Sequence, residues 1–361
     1  MIVGYDNLRK NQMMTIATSS GDLVRLGVVT LLLSAPTQSL LSASTQSLAA
    51  DSLDEVIAGA KEEGSVSLYE GQQPQAWTKI MAAFQKRYPF VTSYNQERLV
   101  AGATVTRVIT EAMAGISNAD IVASGTVQMD DFAARGLLQP VDWKALGIPE
   151  KSVFDRYTAV GSMFAYVIGY NTDLVKGPDI PKEWDDVLDP KWKGQGSWWF
   201  NSQPWATLAA VWGEGKAVTF LDSLLAQDWR LSRSAATVSA WLSSGETPIG
   251  IVVLHRMQAA QNKGAPVGWT FAEPVPVQLI TYGILKEAKN PNAAKLLIHW
   301  LTTPEGAKVY EDAVYRGNPY VEGTEMERLI GSRNIAYHEG DRLAEFKSMT
   351  EKMIELLEKN R

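Results

Sequence analysis

The sequence contains no cysteine. Disulfides, thiolate metal sites, cysteine nucleophiles and lipid anchors attached to cysteine are therefore excluded. The chain also lacks an excess of basic residues, since 34 Lys and Arg stand against 40 Asp and Glu. The resulting net charge of -6 argues against a nucleic-acid partner, because nucleic-acid binding needs a basic surface. These numbers are compatible with a small anionic ligand, since one pocket can be positive on an acidic protein.

Long apolar runs are missing too. The run LGVVTLLLSA after Arg25 is too short to cross a bilayer, but it has the length of a signal-peptide core. Small residues continue to Ala50, so we expect residues 1–50 to be a signal peptide and leader. Cleavage near Ala50 would then release a periplasmic protein without a membrane span. The alternative is a cytosolic protein with an unusual N-terminal tail.

Sequence motifs of enzymes are also absent. The chain has no GxSxG elbow, P-loop, GxGxxG fingerprint or HExxH helix. The carboxylate pairs Asp130-Asp131 and Asp185-Asp186 fall at predicted helix starts, where the helix dipole favours negative charge. We therefore expect neither an enzyme nor a bound cofactor.

What is present is an alternation of short apolar strands and amphipathic helices from Asp51 onward, which indicates an α/β protein. The length of 361 residues favours two compact lobes over one core. In the first half, the strand ends carry Tyr69-Glu70-Gly71 and Ser124-Gly125-Thr126. Open α/β sheets bind ligands outside the carboxyl ends of their strands, so these residues are candidates for ligand contact.

The second half offers two further candidate segments. After the strand SWWF, Asn201 or Ser202 is placed to cap a helix, and helix N-termini bind anions. Since strand residues alternate between faces, one of Trp198 and Trp199 is expected in the core and the other in a cleft. The apolar strand GIVV ends at His255-Arg256. The plainer alternative is that the first segment only caps its helix and that His255 and Arg256 face solvent.

Several segments resemble one known family: YNTDLV, KEWDDVLDPKWKG, WLSSGETPIGI and especially KNPNAAKLLIHWLTTPEGAKVY. They are similar to the family 1 extracellular solute-binding proteins of bacterial ABC importers, in particular the branch that binds ferric iron, thiamine or phosphonates. The resemblance covers nearly all of residues 51–320. It implies a type II periplasmic binding protein, in which two lobes, each a mixed sheet flanked by helices, are joined by two crossing strands and close around a ligand.

The resemblance also implies an organisation and partners. We expect a first lobe of residues 51–160 and 274–305, and a second lobe of residues 161–273 and 306–361. The crossing strands should lie near 161–170 and 273–280. The expected partners are a small-molecule ligand and an inner-membrane ABC permease, and such receptors are usually monomers.

The sequence departs from the iron binders where their ligands lie. Those proteins carry two adjacent tyrosines after the strand that is GIVV here, and this chain has His255-Arg256 instead. An arginine cannot ligate a cation, because its guanidinium stays protonated. The Asn-Gly-Gln-His of that branch is replaced by the segment Glu70-Gly71-Gln72-Gln73. We therefore expect no tyrosinate site for iron and no metal ligands.

The combined expectation is a cleft for a small anion, which is aromatic or phosphorylated. Arg256 is a fork of donors suited to carboxylate, phosphonate or sulfonate, and His255 adds further donors. Arg316 lies where the family's chain often returns to the cleft, and Trp199 suits a ring. The expected ligand-binding residues are Tyr69, Glu70, Gln72, Ser124, Gly125, Thr126, Trp199, Asn201, Ser202, Gln203, His255, Arg256 and Arg316.

Two alternatives within the family stay open at this point. One is a sugar-binding member. The other is a receptor for iron or an iron chelate that uses Glu70 or Tyr69, with an anion such as citrate held by Arg256.

Overall fold

The computed structural model describes residues 52–100, 102–337 and 342–359. The predicted signal peptide and leader lie outside these residues. Within them, no helix combines the length and the apolar character that a membrane crossing requires.

The first half of the chain builds one side of a mixed sheet. Helix α1 begins with a capping box: Ser52 Oγ accepts from the Glu55 amide at 3.3 Å, and the Glu55 carboxylate accepts from the Ser52 amide at 2.8 Å. The helix ends at Gly64, whose φ of 66° suits glycine. The elements are α1 (Leu53–Glu63), β1 (Ser65–Glu70), α2 (Pro74–Arg87), β2 (Ser93–Arg98), α3 (Gly102–Met113), β3 (Ile121–Gly125) and α4 (Thr126–Ala134).

Two long strands connect this side of the sheet to the other. They are β4 (Thr158–Asn171) and β9 (Val275–Ile284), and they pair with each other antiparallel. The second part of β4 pairs with β7 and β8, whereas the second part of β9 pairs with β3. These strands overlap the segments predicted to cross between the lobes.

The remaining elements complete both sides of the sheet. The strand order is β2-β1-β3-β9-β4-β7-β5-β6, with β8 on β4 and β10 on β9. The elements are β5 (Gly196–Trp199), α5 (Gln203–Trp212), α6 (Glu214–Leu225), β6 (Arg230–Ser232), α7 (Ala235–Ser244), β7 (Ile249–Val253), α8 (Leu254–Gln261), β8 (Val267–Thr270), α9 (Pro291–Leu301), α10 (Pro304–Val314), α11 (Glu325–Ile330), β10 (Ile335–Ala336) and α12 (Leu343–Lys359).

Each side of the sheet has its own hydrophobic core. The first-lobe core contains Trp77, Phe84 and Trp300, from α2 and α9. The second-lobe core contains Trp198 and Trp205, together with side chains of α12. A mixed sheet whose two sides carry separate cores, bridged by two long strands, is the predicted two-lobed α/β fold.

The packing of α10 differs from the expected lobe assignment. Residues 306–361 were assigned to the second lobe, but Tyr310 and Val314 of α10 belong to the first-lobe core, because the helix packs against α2 and α9. Residues 304–314 therefore pack with the first lobe. The other boundaries stay a prediction.

Candidate ligand-binding cleft

A cleft of about 700 Å³ opens at the strand ends where the two sides of the sheet meet. This volume is within the range of roughly 300–1,000 Å³ that small-molecule sites occupy. Phe164 of β4 and Gln278 of β9 face each other in register on the two connecting strands, and both line the cleft. A ligand at this position would contact both sides of the sheet and the strands that join them.

Most of the residues expected at the site line this cleft. They are Glu70, Gln72, Ser124, Gly125, Trp199, Asn201, Gln203, His255, Arg256 and Arg316. They come from the ends of β1, β3 and β5, from the first turns of α5 and α8, and from the segment after α10. The residues predicted from strand ends and those predicted from the family resemblance therefore line the same cleft.

Three expected residues do not reach the cleft. Tyr69 lies beside Glu70 in β1 and so points to the opposite face of the sheet, where its hydroxyl donates to Glu111 Oε1 at 2.7 Å. Burial, followed by the hydrogen bond to Glu111, raises the pKa of Tyr69, so a tyrosinate there is disfavoured. Thr126 and Ser202 are buried at the starts of α4 and α5 and lie outside the lining.

Arg316 is a buried positive charge held by several partners. Its Nη2 lies 3.6 Å from Glu70 Oε1 and donates to the Tyr310 hydroxyl at 3.3 Å. Its guanidinium lies 4.2 Å from the centre of the Phe164 ring, and its Nε can donate to Gln72 at 2.8 Å when the Gln72 carboxamide turns its oxygen toward Arg316. Burial lowers the pKa of Arg316, but Tyr310 and Glu70 outweigh it and the net pKa is raised. The residue is therefore a fixed cation in the cleft wall.

Glu70 has most of its acceptor capacity in use. Its Oε2 accepts from the Trp77 indole at 3.0 Å and from the Gln72 amide at 2.5 Å, while Oε1 faces Arg316. The side chain is only 2 % exposed. Glu70 therefore serves to fix Arg316 and the turn after β1.

His255 and Arg256 occupy the first turn of α8, at the end of β7. The N-cap Val253 has no side chain that could accept from the first amides of this helix. The His255 ring lies edge-on to Phe164 with centroids 5.4 Å apart, and its Nδ1 is buried without a partner. Burial, then Arg316 and Arg256, hold the pKa of His255 well below its usual range. His255 is therefore neutral, whereas Arg256 is exposed on the cleft side.

The arginines that lack a carboxylate partner collect at this cleft. Most arginines of the described residues have a carboxylate oxygen within 4.0 Å. Those without one are Arg98, Arg156, Arg233 and Arg256, and all but Arg156 line the cleft. Glu70, already paired, is the one carboxylate in the described lining. The cleft is therefore strongly positive on an acidic protein.

Arg98 and Arg233 were missed at the level of sequence. Arg98 is the last residue of β2 and pairs in register with Glu70, while Arg233 directly follows β6, the neighbour of β5. Applying the rule of strand ends to these two edge strands would have found both residues.

Carboxamide side chains form the second chemical feature of the lining. Gln73, Gln128, Gln203 and Gln278 line the cleft without a side-chain hydrogen bond among the described residues. Two of them crowd Gly125: a Cβ atom there would lie 2.7 Å from Gln278 Nε2 and 2.9 Å from Gln128 Oε1. The amides thus add both donors and acceptors to the arginines.

The aromatic pair of β5 divides between core and cleft, as the alternation predicts. Trp198 is buried against Trp205, with ring centres 5.2 Å apart. Trp199 lines the cleft, stacks on Tyr166 at 6.1 Å and donates from its indole to the Arg233 carbonyl at 3.3 Å. The cleft wall therefore presents an aromatic surface held by two neighbours.

The family model of the bacterial extracellular solute-binding proteins matches residues 70–308. The chain belongs to this family. A Haemophilus influenzae relative of undescribed function is 29 % identical over an alignment of 248 residues, and the match covers 63 % of this chain and 69 % of the relative. The family implies a small-molecule ligand and an ABC permease as partners, and transport in place of catalysis. It also indicates a periplasmic location.

Solved structures of periplasmic binding proteins share the fold. Iron-bound HitA from Pseudomonas aeruginosa is 18 % identical with a TM-score of 0.66, over 80 % of this chain and 99 % of that protein. AfuA from Actinobacillus pleuropneumoniae, solved with exogenous fructose-6-phosphate bound, is 19 % identical with a TM-score of 0.64, over 81 % and 98 %. These similarities confirm the type II periplasmic binding protein fold.

Proposed function

We propose that the chain is the periplasmic receptor of an ABC importer for a small, hydroxylated organic anion, with phosphorylated sugars as the favoured class. The observation that carries this proposal is the collection of Arg98, Arg233 and Arg256 at the cleft without carboxylate partners. All three side chains are exposed, so their guanidinium donors are open to a ligand, and an anion can accept charge-assisted hydrogen bonds from them. The other side chains of the lining support the proposal that the ligand also carries hydroxyl groups.

A sugar ring offers hydroxyl groups, each of which donates and accepts hydrogen bonds. The free carboxamides of Gln73, Gln128, Gln203 and Gln278 can do the same in return. Trp199 adds an aromatic surface on which a ring can stack. The fold is shared with AfuA, whose structure contains fructose-6-phosphate.

The described residues offer little to a bare metal ion. They contain no group of three or more His, Asp or Glu side chains that could hold one. Glu70 is already engaged, and Tyr69 faces the other side of the sheet. Ferric citrate, in which an anion accompanies the iron, therefore belongs in the test.

The proposal includes closure of the lobes around the ligand, delivery to the permease by a monomer, and cleavage of the signal peptide near Ala50. The length and charge of the N-terminal segment support the last point.

The test is a thermal-shift and calorimetric screen of residues 51–361 with fructose 6-phosphate, fructose, gluconate and ferric citrate. A ligand at 100 times its Kd stabilises the native state by about 2.7 kcal/mol. We expect a rise in Tm with the phosphate ester and none with fructose. A rise with fructose alone, or with ferric citrate alone, would contradict the proposal.

The matched variants are Arg256→Ala and Arg156→Ala, since both arginines are exposed and lack a carboxylate partner but only Arg256 lines the cleft. Losing a hydrogen bond to a charged group costs about 1.5–3 kcal/mol. We expect Arg256→Ala to weaken the affinity for fructose 6-phosphate about 10- to 100-fold, as measured by isothermal titration calorimetry. Arg156→Ala should bind like the unaltered protein, and equal losses in both variants would point to an effect outside the cleft.

A further inference from the structure

We infer that anion binding in the cleft is coupled to uptake of a proton by His255, so that the receptor binds its ligand more tightly as the pH falls. The inference rests on the proposed anion-binding function and adds a form of regulation to it.

The first support is the position of the ring. His255 lies edge-on to Phe164, and the guanidinium of Arg316 lies on that same phenylalanine. Its chain neighbour is Arg256. The Nδ1 atom is buried and has no hydrogen-bond partner in the described residues. The imidazole is thus held in the cleft wall beside two cations, with one ring nitrogen unused.

The second support is the absence of a nearby counter-charge on the elements that pack against α8. Those elements are β4, β7, β8 and α7, and none of them contains Asp, Glu, Lys or Arg. The titratable groups on β4 are the hydroxyls of Tyr166 and Tyr170, and burial raises the pKa of Tyr166. The nearest carboxylate on the cleft lining is Glu70, and it is already paired with Arg316. The electrostatic surroundings of His255 are therefore set by Arg256 and Arg316.

Adding an anion reverses this balance. Burial, Arg316 and Arg256 keep the ligand-free imidazole neutral. An anion between the arginines would offset their field and accept a hydrogen bond from the imidazolium, which raises the pKa of His255 in the complex. Between the free and the bound pKa values, each binding event takes up as much as one proton. The affinity then increases by at most about tenfold for each unit of fall in pH.

The experiment follows the histidine ring signals by NMR during pH titrations with and without sulfate, which keeps its two charges across the range used. The chain has three histidines, and a His255→Gln variant assigns the signal of interest. His299 is the internal control, because burial also lowers its pKa but it lies in a separate groove with Trp300. We expect sulfate to move the His255 midpoint upward and to leave the His299 midpoint unchanged.

The same coupling should appear in affinity. The Kd of fructose 6-phosphate is measured at several pH values for the unaltered protein, His255→Gln and His299→Gln. The phosphate group of the ligand titrates in the same way in all three measurements. The difference in the pH dependence of Kd between the unaltered protein and His255→Gln therefore reports on His255. We expect the unaltered protein and His299→Gln to gain affinity relative to His255→Gln on acidification.

The outcomes separate the two proposals. If sulfate or fructose 6-phosphate perturbs the amides of α8 while the His255 midpoint stays in place, the proton coupling is wrong and the anion site stands. If neither anion perturbs α8 or His255 at any pH, the proposed function fails and the coupling fails with it.

Discussion

At the scale of single residues, the ion pair between Arg316 and Glu70 decides how the cleft wall is held. Both side chains are almost fully buried, so water cannot solvate either charge when its partner is removed. Removing one member of a buried pair typically costs about 3–5 kcal/mol, because the other charge is left without a partner. The pair therefore both stabilises the first lobe and positions Arg316 in the cleft wall.

We predict that Arg316→Met destabilises the protein by about 3–5 kcal/mol in urea unfolding. The double variant Glu70→Gln/Arg316→Met should recover part of this loss, since it leaves no uncompensated charge. A double variant that is less stable than Arg316→Met would show that Glu70 is stabilised by Trp77 and Gln72 alone.

His255 gives a prediction for the ligand-free protein as well. Its pKa in the native state is well below the usual value of about 6.5, so below that pH the unfolded chain binds a proton that the native state does not. The free energy of unfolding should therefore fall on acidification from about pH 6.5, by at most about 1.4 kcal/mol per pH unit from this group. His255→Gln should show a smaller fall between pH 7.5 and 5.5 in urea unfolding at both values. An identical pH dependence in the variant would contradict a half-buried imidazole that stays neutral in the native state.

How far single residues could be predicted depended on strand geometry. Glu70 and Trp199 were found because strand ends and alternation identify them. Tyr69 was predicted together with Glu70, but adjacent strand residues face opposite sides of the sheet, so only Glu70 lines the cleft. Gln128 and Gln278 carried no sequence signal, because their approach to Gly125 depends on how β3, β9 and α4 meet in space.

At the scale of elements, β3 and α4 meet at Gly125, and the lack of a side chain there makes room for two amides. A methyl group at this position would push aside the ends of Gln128 and Gln278, which are flexible. We predict that Gly125→Ala reduces the affinity for fructose 6-phosphate in calorimetry while changing the free energy of unfolding by less than about 1 kcal/mol. Gly215→Ala on α6 is the control, because no atom lies within 4 Å of its added Cβ. Unchanged affinity in Gly125→Ala would show that Gln128 and Gln278 do not contact the ligand.

Helix α12 places its apolar side chains against the second lobe. Phe346 and Met353 are buried in the second-lobe core, whereas Ile354 is 39 % exposed. We predict that Phe346→Ala costs about 3–5 kcal/mol in urea unfolding, as is usual for a buried aromatic residue. Ile354→Ala should change stability by less than about 1 kcal/mol. Similar small effects in both variants would mean that α12 is dispensable to the fold.

At the scale of the whole molecule, α12 also touches the opposite side of the sheet. Lys347 lies 3.9 Å from Asp131 of α4, and Val127 of α4 packs against the second-lobe core. The lobes therefore contact each other through α4 and α12 as well as through β4 and β9. The two-lobed plan could be predicted from the alternation of elements and the family resemblance. The α4–α12 contact could not, because it joins segments more than two hundred residues apart that no local pattern links.

Because the sequence contains no cysteine, the protein is well suited to site-specific labelling with fluorescent dyes. Met113 at the end of α3 and Val211 on α5 are 86 % and 53 % exposed, and they lie on helices that flank different sides of the sheet. Thiol-reactive dyes placed at Met113→Cys and Val211→Cys would label these two positions and no others. The closure proposed above would change the distance between the two dyes, so their energy transfer would report ligand binding in a mixture without any separation step.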